Sequence, residues 1–201
     1  MKNLIHSIAA IKLVLAAIIL LAVPSLVMAQ SSYKLAASPD VTIKVLGSSN
    51  VHDWVMTSTA MQSQGDFIVS GDKLLGLHSL SFRLAVKSLH SEHASMDDRT
   101  YKSVNASKYP DISYKLNSAV VTPAGAGKYL IKTKGDLTLS GSTQPVSIEV
   151  TATMGADNVI TCTGEKKIQL TDYGIKPPTF MLGAMKVTND LTIQFNLIYK
   201  N

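Results

Sequence analysis

The histidines are the first places to look for chemistry. His90 and His93, spaced as His-x-x-His around Glu92, are the best metal candidates in the chain. Zinc needs three or four ligands at defined spacing, so two histidines on a loop make at most half a site. His52 beside Asp53 could supply a general base with an orienting carboxylate. Adjacent strand residues point to opposite faces, however, so that pair would not cooperate easily. Asp97-Asp98 offers paired carboxylates, but it opens a helix, where the dipole alone favours acidic side chains. Cys162 is the single cysteine. It rules out an intrachain disulfide, and its alternating surroundings read as a strand carrying a buried, inert thiol. No nucleophile elbow, phosphate loop or dinucleotide fingerprint occurs. The expectation from these residues is a protein that is not an enzyme, with no cofactor and no metal.

The segment that must position the histidines is 95–110, the one stretch that reads as helix. Ser95 with Asp98 fits a capping box, and Lys102 lies later, as the dipole prefers. Met96, Thr100 and Val104 fall at i, i+4 and i+8, with Tyr101 beside them, and form a narrow apolar stripe. Pro110 pushes Tyr109 into an extended conformation and starts the next strand. A lone helix between strands must pack on something, and an open barrel mouth is a natural place.

Almost everything else alternates with period two. Val41, Ile43 and Val45 make one such face. Leu80, Phe82, Leu84 and Val86 make another, as do Ile112, Tyr114 and Leu116. Val146, Ile148, Val150, Ala152 and Met154 alternate strictly, and a last strand over 185–199 carries Leu191, Ile193, Phe195 and Leu197 on one face. Gly135 inside a strand reads as a bulge point, with Leu137 and Leu139 on a bent continuation. Residues 172–178, with Pro177-Pro178, cannot be regular structure and read as an ordered loop crossing one end of the sheet. Eight or nine long antiparallel strands joined mainly by short turns favour an all-β, closed up-and-down barrel with one short helix.

The first residues stand apart. Lys2 and Lys12 precede an apolar run, Pro24 breaks it, and Val27-Met28-Ala29 offers small residues before Gln30. This is the order of a secretory signal peptide, so residues 1–29 are expected to be removed and 30–201 to form one exported domain, periplasmic or secreted. The run is shorter than the roughly 20 apolar residues of a spanning helix. Without Lys2 and Lys12 the net charge falls from +5 to +3. That is too mild for nucleic acid, and no basic cluster interleaves with aromatics.

Several segments together resemble the YceI-like family. They are Val51-His52-Asp53-Trp54; Met96-Asp97 through Lys108-Tyr109-Pro110-Asp111-Ile112; Gly135-Asp136-Leu137-Thr138-Leu139-Ser140-Gly141-Ser142-Thr143; and Leu170-Thr171-Asp172-Tyr173-Gly174-Ile175-Lys176-Pro177-Pro178. The first and last look most like members from the Bacteroidetes. The resemblance implies an extended antiparallel eight-stranded, lipocalin-like barrel. It implies an amphiphilic lipid partner held inside, such as a polyisoprenoid, an isoprenoid quinone or a fatty amide, and it implies no enzyme. Phe82, Leu84, Met96, Tyr101, Tyr114, Phe180, Met181 and Phe195 become pocket candidates on this basis. Transient membrane contact fits such a carrier, and the oligomeric state stays open, a dimer included. Two alternatives stand beside the carrier: an enzyme acting on a small amphiphile with His52 or His93 as base, and a side-chain-filled barrel without ligand serving as a stress or surface protein.

Overall fold

The structure, a computed structural model, describes residues 30–201. The leader read in residues 1–29 lies outside the described residues. The elements run β1 (Gln30–Leu35), β2 (Thr42–Ser48), β3 (Asp53–Ser58), β4 (Met61–Ser70), β5 (Lys73–Ala85), α1 (Ala94–Ser103), β6 (Asp111–Pro123), β7 (Lys128–Leu139), β8 (Ser142–Met154), β9 (Ile160–Gln169), the two-residue β10 (Thr179–Phe180) and β11 (Met185–Lys186), and β12 (Asp190–Lys200).

Eight strands close into an antiparallel ring in the order β1-β4-β5-β6-β7-β8-β9-β12, with β12 returning to β1 through Lys34↔Lys200 and Leu35↔Tyr199. The hairpin β2–β3 continues this ring rather than departing from it. β1 and β2 follow one another along the same edge of β12, and β3 leads directly into β4. Each pair is one long stave interrupted by a few irregular residues. This is why ten strand segments build an eight-stranded barrel, with β10 and β11 pairing apart from it as a two-stranded ribbon.

Alternation sets the inside and the outside. Along β8 every second side chain from Gln144 to Ala152 turns inward, while Thr143, Ser147, Glu149 and Thr151 stay exposed. Gly135 is not a bulge point. β7 pairs without interruption with β8, and the irregularity sits on β6 between Leu116 and Ser118. A Cβ on Gly135 would overlap the ring of Tyr114 and the carbonyl of Lys115, so glycine is required there for close approach. Gly164 does the same for Phe195, its cross-strand partner, whose Cζ would lie 2.6 Å from an added Cβ. Inward aromatic rings thus lie flat over glycines, and the barrel keeps interior space that upright rings would fill.

One end is plugged. Tyr33, Phe67 and Tyr199 are no more than 2% exposed, with ring centroids 5.3 and 5.2 Å apart. The Tyr199 hydroxyl meets Ser63 Oγ at 2.8 Å, and Ser63 donates to the Ser81 carbonyl. The polar tip inside the plug is therefore satisfied. At the other end the strands give way to longer irregular segments.

The helix is shorter than the segment read for it, and its start differs. His93 precedes the first turn and no side chain caps it. The Ser95–Asp98 capping box does not form. Instead Asp97, one residue earlier, accepts the Ser91 amide at 2.8 Å and the Ser91 hydroxyl at 2.6 Å. The helix stops because Asn105 takes a left-handed conformation, φ 53°. The Ala106 amide then donates to the Tyr101 carbonyl and the Asn105 amide to that of Lys102, the paired bonds of a Schellman end. The final strand begins at Asp190 rather than near 185, because residues 185–188 are held by the neighbouring loop.

Candidate functional site

Four irregular segments and the helix α1 frame the open end, and each is tied down. The turn after β2 is clipped to the β10–β11 loop by Asn50, whose Nδ2 donates to the Ala184 carbonyl and whose Oδ1 accepts the Lys186 amide. The stretch after β5 pairs with β3 through reciprocal backbone bonds between Thr57 and His90. α1 is fastened by the Tyr101 hydroxyl, which donates to the Leu89 carbonyl at 2.6 Å, and by Asp97 on Ser91 and His90. The turn between β7 and β8 reaches the helix end through Ser140 Oγ to the Val104 carbonyl. The loop after β9 makes a short 3-10 turn, Leu170–Tyr173, closed by Gly174 at φ 70°. It drives Leu170, Tyr173 and Ile175 into the core.

Behind this frame lie two cavities. The outer, of about 290 Å³, opens at the mouth between α1, the β2–β3 hairpin and the Pro178–Val187 loop. The inner, of about 130 Å³, runs into the barrel toward Phe67 and Tyr199, so the aromatic plug is its floor. Ile112, Leu137 and Ile193 line both and form the neck between them. The walls are almost wholly apolar. On the inner wall, which also carries Lys166, the Tyr114 hydroxyl donates to Thr133 Oγ1 at 3.1 Å, which passes on to the Ile148 carbonyl. Burial raises the Tyr114 phenol above its ordinary value, partly offset by the Thr133 hydrogen bond. Burial also pushes the Cys162 thiol up to about 12. It stays protonated at neutral pH and is a wall residue, not a nucleophile.

The eight pocket candidates separate cleanly. Met96 and Phe180 line the outer cavity, and Phe82, Tyr114 and Phe195 line the inner one. Leu84 faces inward, but Ile43, Met56 and Leu89 cover it, so it forms part of the wall behind the surface. Tyr101 spends its hydroxyl fastening the helix and lines neither cavity. Met181 stands outside the rim, 71% exposed. His52 and His93 line the mouth, while His90 turns to Asp97 at 3.1 Å. No side-chain hydrogen bond joins His52 to Asp53, and among the described residues no group of three or more potential metal ligands gathers. Sequence reading missed Arg99, Trp54 and the neck residues. Arg99 could have been found, because it stands three residues after Met96, on the same helix face as Thr100 and Val104.

The wall is not evenly zipped. β7 and β8 pair along their whole length, but β8 and β9 pair only from Val150↔Gly164 to Met154↔Ile160. Toward the mouth these strands separate, and a hydrogen bond from Gln144 Nε2 to the Asp172 carbonyl spans the gap at the rim.

Solved structures with the same fold include Burkholderia cenocepacia BcnA, at 17% identity and TM-score 0.63, covering 79% of this chain and 95% of that one. A polyisoprenoid binding domain from Saccharophagus degradans aligns at 13% identity and TM-score 0.64, covering 84% and 97%. A Campylobacter jejuni YceI protein aligns at 16% identity and TM-score 0.52, covering 69% and 81%. Identities this low speak for the fold alone. No curated protein sequence matches the chain. The YceI-like domain profile matches residues 34–199, nearly every residue of the barrel, and the chain belongs to the YceI-like family.

Proposed function

We propose that this protein binds and carries one long amphiphilic lipid, its chain threaded through the neck and its head at the mouth. The observation that carries this reading is the pair of apolar cavities meeting at Ile112, Leu137 and Ile193, open at one end and floored by aromatic rings at the other. Burying a chain contributes about 0.8 kcal/mol per methylene, so ten methylenes give on the order of 8 kcal/mol before ordering costs. No catalytic group is needed for that affinity, and the histidine and carboxylate candidates do not assemble into one site. The Saccharophagus degradans relative, described as a polyisoprenoid binding domain, supports an isoprenoid chain. An isoprenoid quinone or a fatty amide has the same overall chemistry.

The reading places the protein outside the cytoplasm, in the periplasm or secreted, with the leader removed before Gln30. N-terminal sequencing of exported protein checks this, and an intact Met1 would defeat it. Lipid exchange then calls for brief membrane contact at the mouth. Met181 and Leu182, 71% and fully exposed, project beside it with Val51, and the surrounding 174–187 segment carries Lys176 and Lys186 and no acid. The decisive experiment is native mass spectrometry, with lipid extraction, on protein purified from its own host. One lipid per chain is expected. Protein that carries none, and takes up none of a panel of isoprenoids, quinones and fatty amides, would return the filled-barrel alternative.

A further inference from the structure

We infer that the bound lipid carries an anionic head, a carboxylate or a phosphate, and that Arg99 receives it at the mouth. This rests on the carrier reading and narrows it. Apart from tyrosines and Cys162, the ionisable residues lining the two cavities are Arg99, His52 and His93 at the mouth and Lys166 within; no aspartate or glutamate lines either. Every lining group that can carry a charge near neutral pH can therefore carry only a positive one.

Arg99 is the placed member of the set. Its guanidinium lies 4.9 Å over the ring of Phe180, itself a wall residue of the outer cavity. That contact holds the guanidinium at the rim. No carboxylate pairs with it: the ion pairs among the described residues are Arg83–Asp111, His90–Asp97 and Lys132–Glu149. Asp97, close by on the helix, is taken up by Ser91 and His90. An arginine held against an aromatic ring at the rim of an apolar cavity, with no carboxylate partner among the described residues, suits bidentate recognition of a carboxylate or phosphate. Lys166 lines the inner cavity from β9, just past the last β8–β9 pair Val150↔Gly164, and is the competing cation that the test separates from Arg99.

The test uses delipidated full-length mature protein and matched probes: oleate against oleyl alcohol, and farnesyl monophosphate against farnesol. Each acid should bind about tenfold or more tighter than its alcohol at neutral pH and low salt. Arg99→Gln should erase that preference, bringing each acid down to the affinity of its alcohol, and Arg99→Lys should restore part of it. Arg99 is exposed, so its replacement leaves the fold intact, which circular dichroism verifies. The better of the two anionic probes identifies the head chemistry. Equal binding of acids and alcohols by the wild-type protein would overturn the inference and leave the carrier reading standing. A preference that survives Arg99→Gln but disappears in Lys166→Gln would also overturn it, since the head would then sit inside. Failure of all four probes to bind would remove the carrier reading, and this inference with it.

Discussion

The two ends of this barrel are built from the same strands and behave as opposites. At the closed end the turns are short, the β8–β9 ladder is formed, and Tyr33, Phe67 and Tyr199 pack ring against ring with the Tyr199 hydroxyl satisfied by Ser63. At the mouth the β8–β9 ladder is gone, and, the two-residue β7–β8 turn apart, longer segments held by side-chain clips join the strands. A zipped ladder fixes strands about 4.8 Å apart and leaves an interior that side chains can fill. Parting two strands widens the barrel on one side and creates room that no side chain claims. Stability is concentrated at the aromatic plug and access where the β8–β9 ladder ends, although the β5–β6 ladder also stops short, at Ser81↔Lys115, on the plugged side.

Truncating the plug should give the largest effect. Phe67→Ala, at a residue 0% exposed, should cost about 3–5 kcal/mol in chemical denaturation. The same truncation at Phe180, half-buried at the mouth, should cost under about 1 kcal/mol. Equal costs would mean that both ends carry stability alike.

Next comes the neck. Ile193→Trp should block the passage between the cavities and deny the lipid several methylenes. Losing three would weaken binding by about 2.4 kcal/mol, read by titration with a fluorescent fatty acid, with the β-sheet circular dichroism unchanged. Unaltered affinity would mean that the chain does not pass the neck.

The helix anchor should matter less. Burial tends to raise the Asp97 carboxyl, but hydrogen bonds from Ser91 and the facing His90 outweigh it and hold the group below its ordinary value of 3.8. A carboxyl lowered by folding stabilises the folded state above the unfolded value, and that contribution fades as pH falls through the folded one. Asp97→Asn should therefore lose about 1–2 kcal/mol at neutral pH. The gap between variant and wild type should shrink below about pH 4. A pH-independent gap would show that the charge is not what anchors the helix.

The smallest effect on stability belongs to the rim. Leu182 is fully exposed at φ 56°, a conformation asparagine tolerates better than leucine. Leu182→Asn should change stability by no more than about 0.5 kcal/mol. It should still reduce co-sedimentation with vesicles of phosphatidylethanolamine and phosphatidylglycerol. Undiminished sedimentation would exclude the tip from membrane contact.

Much of this was already legible along the chain. Period-two alternation named the inward faces of β8 and β12, since a pleated strand offers alternate residues to opposite sides whatever its neighbours. The 3.6-residue stripe of Met96, Thr100 and Val104 named the face of α1 that lines the mouth. Pro177-Pro178 announced a loop at one end because proline cannot join a ladder. These are local properties, fixed by backbone geometry within a few residues. What the tertiary structure decided depends on residues far apart in sequence. Phe82 and Leu84 share a face of β5, yet only Phe82 reaches the cavity, because Ile43, Met56 and Leu89 cover Leu84. Gly135 reads along the chain as a bend, but it is glycine because the ring of Tyr114 lies against it. Arg99 gained its meaning from Phe180, and β9 its opening from the register at which it leaves β8. Alternation tells each strand which side is in; only ring closure and register determine what a side chain meets there.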